Sequence, residues 1–204
     1  MYKNKTNLII LISGVPSAGK TTISYELLRR VNCFRIVQET DILREILRGY
    51  NQFLVESLPN IAPKIDYLAP HTELLSYNKA KSQCKIMKNS IIEIINRQNR
   101  KQISTIICGV HIIPEILYEN INRTNVKYIN LYFDCKEDLY SHLKTRDTDK
   151  YGKKSVEFLY NMNVKLQNNF SSLQFQYPHV FTSINVGKLT VEETIDFIID
   201  FLEQ

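Results

Sequence analysis

The sequence predicts an α/β sandwich, a parallel β-sheet with helices on both faces. Three observations lead there. Five short apolar runs punctuate the 204 residues, segments of helical period alternate with them, and a glycine-bearing loop joins the first run to the first helix. Strand–helix alternation of this kind favours parallel strands joined by right-handed crossovers.

The runs span 7–13 (NLIILIS), 34–38 (FRIVQ), 103–109 (ISTIICG), 126–135 (VKYINLYFDC) and 179–185 (HVFTSIN). They are rich in Ile and Val and nearly continuous rather than alternating, as strands covered on both faces should be. Between them the pattern predicts helices over 19–31, 41–48, 71–100, 114–122, 136–145, 155–175 and 191–202. Thr190, followed by Glu192 and Glu193, is a plausible N-cap for the last. The stretch 51–70 carries Pro59, Pro63 and Pro70, which break the helical pattern and predict an irregular excursion.

Composition narrows the classes. The chain is 44% hydrophobic and 23% charged, which is globular, and its formal net charge of +5 is diffuse. No cationic run indicates a nucleic-acid arm, and a mildly basic balance suits anionic ligands. Cys33, Cys84, Cys108 and Cys135 form no CxxC pair, and His71, His111, His142 and His179 are scattered, so neither a metal cluster nor a disulfide framework is expected. No run of eighteen apolar residues exists, and the first apolar run is too short for a signal peptide. The expectation is a cytoplasmic protein without membrane contact.

The loop Gly14-Val15-Pro16-Ser17-Ala18-Gly19-Lys20-Thr21-Thr22 satisfies G-x-x-x-x-G-K-[ST]. Gly14 and Gly19 permit close backbone approach to phosphate. The successive N–H groups form an anion nest at a helix N-terminus. Lys20 is placed for the β- and γ-phosphates, Thr21 for Mg²⁺ and Thr22 for the α-phosphate. With a strand before it and a helix after it, the loop predicts a P-loop NTPase three-layer sandwich that uses ATP and Mg²⁺. An NKxD base-reading motif is absent, and the DxxG string at Asp149–Gly152 follows the fourth strand, where a γ-phosphate sensor would not sit. Residues 1–204 read as one domain, with an acceptor-side insertion at about 50–100 and a short lid at about 146–154.

The second run leads into Glu39-Thr40-Asp41-Ile42-Leu43-Arg44. Thr40 or Asp41 is expected to cap the next helix, and Asp41 and Arg44, three apart, to share a face. There Asp41 could orient an acceptor hydroxyl or hold Mg²⁺, and Arg44 could grip an anion. A plain cap is the alternative for Asp41, and a packed imidazole for His111. After the fourth strand, Arg146 and then Lys150 are the candidates to neutralise charge in phosphoryl transfer. The approach to the long central helix carries Asp66, Tyr67, His71, Tyr77, Asn78 and Gln83, of which Tyr77 and Gln83 are taken as acceptor contacts.

These residues resemble the archaeal-type 2-phosphoglycerate kinases and their bacterial relatives among small P-loop kinases. The resemblance rests on GVPSAGKTT at 14–22, TDILREILRG at 40–49 and GVHIIP at 109–114. Gln83 and the N-x-x-x-x-L-Q string starting at Asn168 add to it. It implies a sheet in the order 2-3-1-4-5, ATP and Mg²⁺ as cosubstrates, and a phosphorylated hydroxy acid as acceptor, with Asp41, Arg44 and His111 on the acceptor side. It also implies a nucleobase near 185–188. Relatives carry an acid immediately before the Gly-Val-His segment. Cys108 stands there in this chain, so the metal shell would be completed by Asp41 or Glu39. A nucleoside, a polynucleotide 5′-hydroxyl or a sugar or antibiotic remains an alternative acceptor, and a non-catalytic ATP-binding regulatory module an alternative of another class.

Overall fold

A computed structural model describes residues 7–58, 76–121, 125–146 and 153–203. Its five strands are β1 (Ile9–Gly14), β2 (Phe34–Glu39), β3 (Ser104–Cys108), β4 (Val126–Tyr132) and β5 (Phe181–Asn185). All are parallel, in the order β2-β3-β1-β4-β5, as the resemblance implies. The helices are α1 (Lys20–Arg30), α2 (Thr40–Ser57), α3 (Tyr77–Lys101), α4 (Pro114–Leu117), α5 (Lys136–Arg146), α6 (Lys153–Gln176) and α7 (Val191–Glu203).

β1 is buried along its whole length, and β3 likewise. Their Ile and Leu side chains make the centre of the core. Helix α1 packs on β1, β2 and β3 and against α7, whereas α3, α4 and α6 pack on one another and on β3 to β5. The chain moves outward from β1 to β2 and back past β1 from β3 to β4. The crevice between β1 and β3 is therefore the topological switch point, where open α/β sheets take ligands.

Several boundaries depart from expectation for visible reasons. Helix α2 runs to Ser57, well past residue 48 and into the expected irregular stretch, because no proline interrupts 49–57; stacked Tyr50 and Phe53 rings lie on its exposed face. β4 ends at Tyr132 rather than 135, since the Asn163 side chain takes both the N–H and the C=O of Phe133, at 3.0 and 2.8 Å, and draws them out of the ladder. Helix α4 gives way at Tyr118–Asn120 to a 3₁₀ turn, where the Asn120 side chain occupies the Ile116 carbonyl. Thr190 caps α7 as expected. Its hydroxyl accepts from Glu193 N at 3.2 Å, and the Glu193 carboxylate accepts from Thr190 N at 2.8 Å, which makes a capping box. Pro59, Pro63, Asp66, Tyr67, Pro70 and His71 lie outside the described residues.

The loop after β3 grips the start of α2. A Cβ on Gly109 would sit 1.8 Å from Thr40 Oγ1, and its φ is +154°. Gly109→Ala is therefore expected to destabilise the fold by about 2 kcal/mol or more, read as a lower urea midpoint. Adding Thr40→Ala should recover part of the loss. A double variant as unstable as the sum of the two singles would show that the clash is not the cause.

Candidate functional site

The loop between β1 and α1 wraps the C-terminal end of β1. Gly19 takes the left-handed conformation as N-cap of α1, and Ser17, at φ 65°, adopts it without being glycine. Left-handed residues spaced along a loop in this way turn amides into a common concavity. Ser17 Oγ is buried and has no hydrogen-bond partner among the described residues, an orphan that a phosphate oxygen would satisfy. Lys20 Nζ donates to Val15 O at 2.7 Å, so the ammonium lies folded over the loop. Thr21 Oγ1 donates to Glu39 Oε2 at 3.2 Å.

A cavity of about 650 Å³ opens from this cradle. Ser17 to Ile23 and Glu39 line its phosphate end. Its other walls are His142 and Thr145 of α5, and Val186, Leu189, Val191 and Thr194 at the β5–α7 connection. The segment expected to meet a nucleobase, 185–188, thus supplies Val186 to the same cavity. His142, Thr145 and Leu189 were not singled out from the sequence, because their only signal is tertiary proximity.

The acceptor-side residues separate. Neither Thr40 nor Asp41 caps α2. Glu39 occupies the N-cap position without a side-chain cap bond, and the helix already begins at Thr40. The Thr40 hydroxyl instead lies 3.0 Å from His111 Nδ1. His111 Nε2 lies 2.6 Å from Gln83 Oε1. With a carbonyl oxygen facing Nε2, that nitrogen carries the proton and Nδ1 accepts from Thr40. His111 is 0% exposed and Gln83 4%. They form a buried polar joint between α3, the β3–α4 loop and α2. Both were expected on the acceptor side, and here both are sealed from solvent. What the joint touches is Asp41, whose Oδ1 lies 3.5 Å from His111 Nδ1 while its side chain is 60% exposed.

Asp41 and Arg44 do not present one face. The Arg44 side chain is turned inward, 6% exposed, and pairs with Glu45, which also bonds Arg48. Tyr77 is likewise engaged, its hydroxyl donating to Glu115 and accepting from Asn169. Burial pushes its phenol up, and the Glu115 carboxylate pushes it further. Arg146 ends α5. Its side chain and Lys150 lie outside the described residues, and α6 begins at Lys153, inside the expected lid.

Cys108 ends β3 and stands in register with Glu39 at the end of β2. Burial pushes its thiol up, opposed by the Ser24 hydroxyl and reinforced by the Glu39 charge. A protonated, buried thiol is a poor ligand for a hard cation. Among the described residues no group of three His, Cys, Asp or Glu is placed to hold a metal. The Thr21 hydroxyl and Glu39 carboxylate nevertheless fit Mg²⁺, which takes one or two protein oxygens and completes its shell with phosphates and water. The second metal residue expected, Asp41, is not the one that meets Thr21.

Among the described residues no helix is long and apolar enough to cross a membrane. No family model matches the chain. Two curated proteins are similar: the 2-phosphoglycerate kinase of Thermococcus kodakarensis, 29% identical over 56% of this chain and 40% of the relative, and that of Pyrococcus horikoshii, 32% identical over 55% and 38%. The chain thus covers about two fifths of the length of either. A shikimate kinase from Bacteroides thetaiotaomicron superposes with a TM-score of 0.53 at 15% identity, over 97% of this chain and 99% of that one. The thymidylate kinase of Candida albicans gives 0.57 at 13%, over 97% and 92%. These likenesses show the fold, an α/β P-loop sandwich.

The thiols provide a test of the packing around the site. Cys84, buried and pushed up to about 12, and Cys108 should resist iodoacetamide at pH 8 in the folded protein and react once urea unfolds it. Rapid native alkylation at Cys108, read by mass spectrometry, would contradict its burial.

Proposed function

We propose that the chain is an ATP- and Mg²⁺-dependent phosphotransferase that moves the γ-phosphate to a hydroxyl of a small, anionic metabolite resembling 2-phosphoglycerate. The observation that carries this reading is the Thr21–Glu39 contact beside Lys20 at the mouth of the cavity. It sets a hydroxyl, a carboxylate and an ammonium together at the end of an anion nest. The likeness to two 2-phosphoglycerate kinases supports the acceptor class.

In this reading the loop amides and Ser17 hold the phosphate chain, and Lys20 leaves Val15 O to follow the charge on the transferring group. Thr21 and Glu39 would hold Mg²⁺, which supplies charge neutralisation at the phosphates. Glu39 thereby takes over, from the neighbouring strand, the place of the acid that Cys108 replaces. Asp41, exposed beside the His111 joint, orients the acceptor hydroxyl and receives its proton. Arg146 is assigned to the phosphoryl group from the lid side. Positioning and electrostatics supply most of the rate in such transfers. The site is cytoplasmic in this reading, and its partners are ATP and the acceptor.

The deciding experiment is transfer from γ-labelled ATP with Mg²⁺ to a panel of 2-phosphoglycerate, nucleosides, sugars and a 5′-hydroxyl oligonucleotide. Label on 2-phosphoglycerate that is absent with Lys20→Ala supports the reading; label on another acceptor reassigns the substrate. ATP binding without any transfer would favour a regulatory module. Glu39→Gln is expected to raise the Mg²⁺ concentration for half-maximal rate at least tenfold and to leave the fold intact, as checked by circular dichroism. An unchanged Mg²⁺ dependence would remove Glu39 from the metal. Asp41→Asn should lower kcat about a hundredfold, within the range of general base catalysis, with KM for ATP within threefold. An unchanged kcat would leave Asp41 no role in transfer.

A further inference from the structure

The first turn of α2 is anchored outside its own helix. Its N-cap, Glu39, makes no side-chain cap bond, although Thr40 and Asp41 beside it are cap-forming residue types. The buried Thr40 hydroxyl is committed instead to His111 Nδ1, 3.0 Å away. The segment that carries His111 is itself pinned to the end of β1. Gly109 N donates to Ile12 O at 3.0 Å, and Ser13 Oγ donates to Ile112 O at 2.7 Å. From the other side Gln83 of α3 accepts from Nε2 at 2.6 Å. The imidazole is therefore fixed to the sheet, and through Thr40 it fixes the start of α2.

Asp41 is the next residue, and its Oδ1 lies 3.5 Å from the same Nδ1. That nitrogen takes the Thr40 proton and has none to give. The ring thus sets a lone pair against the carboxylate rather than a donor. Asp41 is kept beside the ring without being claimed by it, and its oxygens remain acceptors for an incoming O–H. A Thr40 hydroxyl turned to cap α2 would release Nδ1, and a ring proton moved there would bond Asp41 and take it from the acceptor. Placement of such a group matters steeply, since a shift of about 1 Å lowers a rate about a hundredfold.

We propose that His111 is a positioning residue for phosphoryl transfer. It acts through Thr40 to hold the first turn of α2, and it leaves the Asp41 carboxylate open to the acceptor hydroxyl. This inference rests on the reading of Asp41 given above and adds the residues that act through it.

The test is a double-variant cycle in the intact protein, read as transfer from γ-labelled ATP to the acceptor labelled fastest in the panel. Thr40→Val, which keeps the shape and removes the hydroxyl, should lower kcat about tenfold, with KM for ATP within twofold. Thr40→Ser should stay within threefold of wild type. In the Asp41→Asn background the same Thr40→Val change should alter kcat by less than threefold, because the group it positions is gone. In nitrogen-15 spectra of the wild-type protein, assigned by triple resonance, the His111 ring should carry its proton on Nε2 alone. This measurement needs neither a variant nor an acceptor. An equal fold-loss in both backgrounds, an unchanged kcat in Thr40→Val, or a ring proton on Nδ1 would each overturn the proposal. A wild-type protein that labels no acceptor would instead overturn the transferase reading itself.

Discussion

Everything functional in this molecule follows from burying β1 on both faces at the middle of a parallel sheet. A strand covered on both sides is forced to carry continuous apolar residues, and Ile9 to Ile12 are fully buried. Because every neighbour runs parallel to it, the carboxyl ends of all five strands share one edge. The phosphate loop, Glu39, Cys108 and the β5–α7 connection are therefore gathered at that edge, although they are distant in sequence.

Around that edge the polar groups fall into two classes. Some are open to a ligand, such as Lys20, Thr21 and Glu39. Others are sealed and act as joints. His111 ties α3 to α2 through Gln83 and Thr40, and Asn163 ties α6 to the end of β4. At the opposite end of the sheet, Asn7, Asn99 and Asn125 bond one another. Buried polar groups of this kind must be satisfied, and when satisfied they specify one arrangement. The joint at His111 lies beside the first turn of α2, which carries Asp41.

The register between β2 and β3 gives the site its individual character. Glu39 and Cys108 are cross-strand partners, so the two strand ends meet at one place on the edge of the sheet. A carboxylate on β2 meets Thr21, while the thiol on β3 is held protonated by burial. A carboxylate at position 108 would instead stand beside Glu39 and repel it.

The sequence by itself determined the strands, the helices between them and the phosphate loop. These are local properties: hydrophobic period, capping chemistry and the glycine and lysine spacing of an anion nest. One boundary error, at the end of β4, fell where a distant side chain intervened, as Asn163 does at Phe133. Only the tertiary structure decided which candidates face the cavity. It buried His111 and Gln83, turned Arg44 inward, engaged Tyr77 with Glu115, set Glu39 rather than Asp41 against Thr21, and brought in His142 and Leu189. Exposure and partnership depend on what the rest of the chain places against a residue, and no local pattern encodes that.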